Sequence, residues 1–187
     1  MELLPALEAT FDHAHRVIAG IGPEQVHAST PCRDWDLEQL VGHTVSVVAN
    51  IGRALGGPAG DDAPEDDAGF RLTTDAGERF RQLADATLAA WRTADLSATV
   101  DIGAGPMPAE TALAINLLDT GTHSWDIARA TGQDETMPDG LAEYILSLVD
   151  GFITDDIRSF AGFDPAVPID DHAMASHRLA AFLGRRP

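Results

Sequence analysis

The stripe Leu3, Leu4, Leu7, Phe11, His15 and Ile18 recurs at three- and four-residue steps. That period predicts an amphipathic helix over the first twenty residues, stopped by Gly20, Gly22 and Pro23. A second stripe runs through Leu37, Leu40, Val41, Thr44, Val48, Ile51 and Leu55. Its helix is expected to start at Asp36, whose carboxylate can cap free backbone N–H groups, with Gln39 three places on completing a capping box. Gly56, Gly57 and Pro58 end it. A third helix is predicted over about 74–92 through Phe80, Leu83, Leu88 and Trp91, and a fourth from near Pro108 to Gly132. A fifth is expected over about 139–160 and a short last one over roughly 172–183. Residues 97–102 alternate apolar and polar, as in a short strand or an extended connection.

Composition turns these elements into a fold class. The 187 residues, 44% of them hydrophobic, suffice for one domain with a real core and no disulfides. Residues 56–69 are Gly, Pro and acid with almost nothing to bury, and are expected to form a flexible acidic loop. The expectation is an all-α helix bundle over 1–187, with a minor strand segment at most and 163–187 as a C-terminal appendage.

Charge removes whole classes of function. Twelve basic residues, all arginine, stand against 30 acidic ones, a net charge of −18. This excess repels phosphate backbones and anionic lipid surfaces, so neither nucleic acid nor membrane is expected as a partner. One cysteine excludes an intrachain disulfide and suits a reducing compartment. No run approaches the roughly 18 apolar residues of a membrane helix, and the N-terminus lacks the pattern of a signal peptide. A cytoplasmic location is expected.

The densest chemistry lies in the fourth predicted helix. Asp119 and His123 are four apart and project from one face, and Asn116 and Asp126 extend the stripe, either to orient the ligands or simply to cap and solvate the helix. Such a pair is how one helix offers two ligands to a divalent metal. Bundle cores complete such sites from a facing helix, and His43, at the border of the second helix's apolar stripe, is placed to do so. Gly42 and Gly121 each cost roughly 1 kcal/mol inside a helix, which a close helix approach or a bulky ligand would explain. The plainer reading is a surface ion pair worth a few tenths of a kcal/mol and an interior histidine. His13, His15, His172 and His177 are weaker alternative ligands in surroundings that look exposed. Cys32 precedes a helix N-terminus, yet Asp34 and Asp36 oppose a thiolate, so it reads as a small buried turn residue. Trp35 and Trp125 read as core packing, while Arg129 can meet an anionic substrate or pair with Asp126.

The segment Thr30-Pro31-Cys32-Arg33-Asp34-Trp35 continuing to Leu40 and His43 resembles the Thr-Pro-Cys-x-x-Trp…Leu-x-x-His motif of the mycothiol-dependent maleylpyruvate isomerase N-terminal family. That family lies in the DinB-like superfamily of metal-binding four-helix bundles. His123-Ser124-Trp125-Asp126-Ile127-Ala128-Arg129-Ala130-Thr131-Gly132 resembles its second motif, His-x-Trp-Asp-x-Ala-x-Ala-x-Gly. The tail Arg178-Leu179-Ala180-Ala181-Phe182-Leu183-Gly184-Arg185 resembles the closing segment of an uncharacterised metal-binding subfamily. The resemblance implies a DinB-like four-helix bundle and a divalent metal, zinc or nickel foremost, on His43, Asp119 and His123. It also implies a small thiol of the mycothiol type as co-substrate. The isomerase carries glutamate where Asp119 stands, and a substantial C-terminal domain where this sequence has about two dozen residues after Gly162.

Two functions follow as expectations. One is a metal- and thiol-dependent transferase or isomerase acting on an electrophilic small molecule; the other is a non-catalytic metal-binding bundle or small-ligand binder. Two histidines and an aspartate suit zinc, nickel, iron(II) or manganese. A homodimer through a helix face is left open.

Overall fold

The computed structural model describes residues 1–57, 69–138, 140–160 and 162–187. Most of the loop expected at 56–69 lies outside the described residues, as does the expected start of the fifth helix at Asp139. The chain forms α1 (Leu3–Ala19), α2 (Leu37–Ala54), α3 (Ala76–Thr93), β1 (Thr99–Asp101), β2 (Pro106–Pro108) and α4 (Ala109–Thr131). It continues through α5 (Leu141–Val149), α6 (Asp155–Phe160) and α7 (Ala175–Phe182). This is the expected all-α bundle with a minor strand segment.

α1 and α2 each pack against both α3 and α4, so the four long helices form a bundle with α1 and α2 at opposite corners. Leu7, Phe11, Leu40, Phe80, Leu113, Leu117 and Trp125 fill its centre, and Phe11 meets Phe80 edge-on with ring centroids 6.0 Å apart. Each such side chain contributes roughly 1.5–3 kcal/mol on burial, so the core has ample driving force of its own. α7 packs on α5 and α4, which leaves α4 buried on nearly every side from Asn116 to Ala128. That setting explains how α4 carries polar side chains into the interior.

Local chemistry sets the ends. Asp36 accepts the Gln39 backbone N–H at 3.0 Å, and the Gln39 side chain accepts that of Asp36 at 3.0 Å, the expected capping box of α2. Gly132, with φ 70°, closes α4 in the left-handed conformation that glycine adopts without strain. The single helix expected over 139–160 is instead two. Asp150 turns to an extended backbone, Gly151 follows at φ 79°, and Thr154 Oγ1 accepts the Ile157 N–H at 3.3 Å to restart the chain as α6. The alternating segment does form a strand: Val100 pairs with Met107 in an antiparallel ribbon. β2 was not anticipated because its two prolines lack an N–H, a defect tolerated in a ribbon of only two strands.

Candidate metal centre

The turn before α2 builds the first wall. Thr30 Oγ1 accepts the Cys32 N–H at 3.1 Å and donates to the Trp35 carbonyl at 2.8 Å. Thr30 thus clamps a loop that presents both Cys32 and Trp35 toward α4. Trp35 was read as core packing; it is only half-buried, and its ring lies 4.5 Å from that of His43 and 5.9 Å from that of His123.

His43, Asp119 and His123 come together. The imidazole centroids of His43 and His123 are 5.1 Å apart, so α2 and α4 face each other as the metal reading requires. Both histidines aim Nε2 at one oxygen: His43 Nε2 lies 3.4 Å and His123 Nε2 3.5 Å from Asp119 Oδ1. These distances are long for hydrogen bonds, which centre near 2.9 Å. They match the ~3.4 Å edge of a tetrahedron with ~2.1 Å metal–ligand bonds. The other carboxylate oxygen, Asp119 Oδ2, is buried with no hydrogen-bond partner among the described residues. Side chains of His43 and Asp119 keep 23% and 21% of their surface exposed, so the site opens to solvent on that side. Burial pushes the Asp119 carboxyl pKa upward, but His123, His43 and Arg185 outweigh it and hold the group below its ordinary value. A carboxylate and two imidazoles converging with an unsatisfied oxygen fit a divalent cation.

On its far side His123 meets a second cluster. Its Nδ1 lies 3.1 Å from Asp126 Oδ2, and Cys32 Sγ lies 3.3 Å from the same oxygen. Cys32, His123 and Asp126 also bring donor atoms within 4.8 Å of one another. A cation already stands there, however: Arg185 donates from Nη2 to Asp126 Oδ2 at 2.9 Å and from Nε to Oδ1 at 3.2 Å. The Cys32 thiol is pushed up to about 12, first by burial and then by the Asp126 charge. It holds its proton at neutral pH; expected to be a buried turn residue, it is half-buried, with its sulfur against Asp126 and Arg185.

Several expectations are corrected. Arg129 pairs with Glu135 at 2.9 Å, not with Asp126. Asn116 accepts the Trp91 indole N–H at 3.2 Å, turned away from the site. Gly121 sits at a close approach of two helices, α4 and α5, as expected, whereas Gly42 is tight against Phe70, which precedes α3. A Cβ at Gly42 would stand 3.0 Å from Phe70, and one at Gly121 2.9 Å from Ile145 Cδ1. His13, expected to be exposed, is buried, and His177 is half-buried against Glu135 at 2.9 Å.

The model for the mycothiol maleylpyruvate isomerase N-terminal domain matches residues 7–128. The chain belongs to that family. The matched span takes in α2, most of α4 and all three converging residues. Two uncharacterized proteins of Mycobacterium tuberculosis, from strains CDC 1551 / Oshkosh and ATCC 25618 / H37Rv, are each 27% identical over 186 residues. The alignment covers 99% of this chain and 98% of each relative. No solved structure matches. Arg185 lies beyond the family span, and the signal that could have found it was its place at the end of the recognisable tail motif.

Proposed function

We propose that this protein binds one divalent metal ion through His43, Asp119 and His123 and uses it to present a small thiol, of the mycothiol type, to an electrophilic substrate for transfer or isomerisation. The observation that carries the reading is the convergence of two imidazole Nε2 atoms on an aspartate whose second oxygen is buried without a partner. Three protein ligands leave coordination positions open, the pattern of a catalytic centre and not of a closed structural one. Zinc or nickel suits the two nitrogens and one oxygen.

A divalent ion held there supplies Lewis acidity that lowers the pKa of a coordinated thiol toward neutrality. The chain's own residues do the rest. Asp119, kept ionised by the two histidines and Arg185, contributes the negative charge that retains the ion. Trp35, its ring tilted against that of His43 at 4.5 Å, holds the imidazole and gives the site an apolar wall. Cys32 keeps its proton and so does not compete as a nucleophile.

The test is elemental analysis of protein purified without added metal, followed by titration of the cobalt-substituted form with small thiols. Near one equivalent of metal and a new thiolate charge-transfer band are expected. His43→Ala, Asp119→Ala and His123→Ala should each lose the metal while keeping the helical far-ultraviolet signal. Collapse of the fold on metal removal, with no spectral response to any thiol, would overturn the enzyme reading in favour of a structural metal-binding bundle.

A further inference from the structure

The cluster behind His123 explains how the candidate metal centre is held. Asp126 is fully buried, and Oδ2 receives three contacts, from Arg185 Nη2 at 2.9 Å, His123 Nδ1 at 3.1 Å and Cys32 Sγ at 3.3 Å. An ionised carboxylate has no proton to give, so the Nδ1 facing it must be the donor. In the neutral ring that assignment puts the lone pair on Nε2, the atom aimed at Asp119 and His43. The carboxylate stays charged in the interior because the Arg185 guanidinium grips both of its oxygens.

Arg185 is itself placed with care. It comes from the segment after α7, where Gly184 turns at φ 86° against the Asp164 backbone, too close for any Cβ. Its Nη1 donates to the Leu183 carbonyl at 2.9 Å, and its guanidinium lies 5.5 Å from the centre of the Phe163 ring. The end of the chain is thereby tied to α4 at a point one side chain removed from the candidate ligands.

We infer that Asp126 and Arg185 are positioning residues that lock His123 in its Nδ1–H tautomer, so that docking of the C-terminal segment, and not α4 alone, sets the affinity of the metal centre. This rests on the metal reading proposed above. It also assigns the Cys32–His123–Asp126 group a role other than a second metal site, since the guanidinium already occupies the cation's place. Partners of metal-bound histidines commonly change affinity by roughly 10–100-fold when removed.

Long-range 1H–15N correlation spectra of the metal-free protein at pH 8 report the His123 tautomer directly, with zinc affinity and melting temperature measured in parallel. The wild type should show protonated Nδ1 at His123 and bind one equivalent of zinc. Asp126→Ala should lose the tautomer preference and weaken zinc binding by roughly 10–100-fold. Asp126→Asn, which still offers an oxygen to Nδ1–H, should keep the tautomer with a smaller loss. Arg185→Gln tests the clasp from the C-terminal side and should also weaken zinc binding; Cys32→Ala should not. A merely structural Asp126 would lower the melting temperature without moving the tautomer. Protonated Nε2 in the wild type, or unchanged tautomer and affinity in a folded Asp126→Ala protein, would overturn the inference. A wild type that binds no zinc or nickel would sink the metal reading itself, and the tautomer result would still decide whether the clasp exists.

Discussion

Two histidines in this bundle are nearly equally buried and electrostatically opposite. His13 on α1 is 2% exposed and His123 on α4 is 7% exposed. Around His13 the nearest charge is Arg16, which donates to Nδ1, while Nε2 has no partner among the described residues. Burial and then Arg16, opposed by Asp134, lower its pKa from 6.5 to about 4, so it is a neutral packing residue. Around His123 stand two carboxylates, Asp119 before one nitrogen and Asp126 before the other. Burial alone therefore says little about a histidine; the sign of the charges on its two edges says whether its surroundings suit packing or a cation.

The largest expected effect separates the two by metal binding. His123→Ala should weaken zinc binding by more than about a thousandfold, ~4 kcal/mol, because an open site of three ligands has no replacement. His13→Leu should leave zinc affinity unchanged. Equal losses from both, measured by competition with a chromophoric chelator, would break the contrast.

Next in size is a pH effect that belongs to His13. Its folded pKa lies below the unfolded one, so the unfolded chain takes up the proton first as pH falls. The stability it confers is complete above pH 6.5, declines between 6.5 and 4, and is flat below. A depression of this extent corresponds to roughly 3 kcal/mol. Urea denaturation at pH 7.5 and 4.5 should show a loss of that order beyond the loss seen in His13→Leu. Parallel curves for the two proteins would mean that His13 accepts its proton without cost.

The smallest effect sharpens the distinction between packing and ligation on α4 itself. Gly121 lies between Asp119 and His123 in sequence but faces Ile145, the far end of a flexible side chain. Gly121→Ala recovers helix propensity of roughly 1 kcal/mol and pushes Ile145 aside, so stability should change by less than about 1 kcal/mol. Zinc affinity should not move. A large affinity change would place Gly121 in the ligand cradle after all.

The amino-acid sequence alone carried the helical periods, the capping box at Asp36 and the pairing of Asp119 with His123, because these depend on spacing along one element. His43 was reachable too, since a histidine at the edge of an apolar stripe can point between helices and the family motif ends on it. The tertiary structure decided what spacing does not encode. It ended the fifth helix at Val149, where Asp150 turns extended and Gly151 takes a positive φ although the apolar stripe resumes beyond them. It buried His13, whose neighbours along α1 look exposed but whose surroundings are set by packing against α3 and α4. It also brought Arg185 across 59 residues of chain to Asp126. Contacts between distant segments depend on how several helices pack at once, and a buried ion pair leaves no periodic mark in either partner's own sequence.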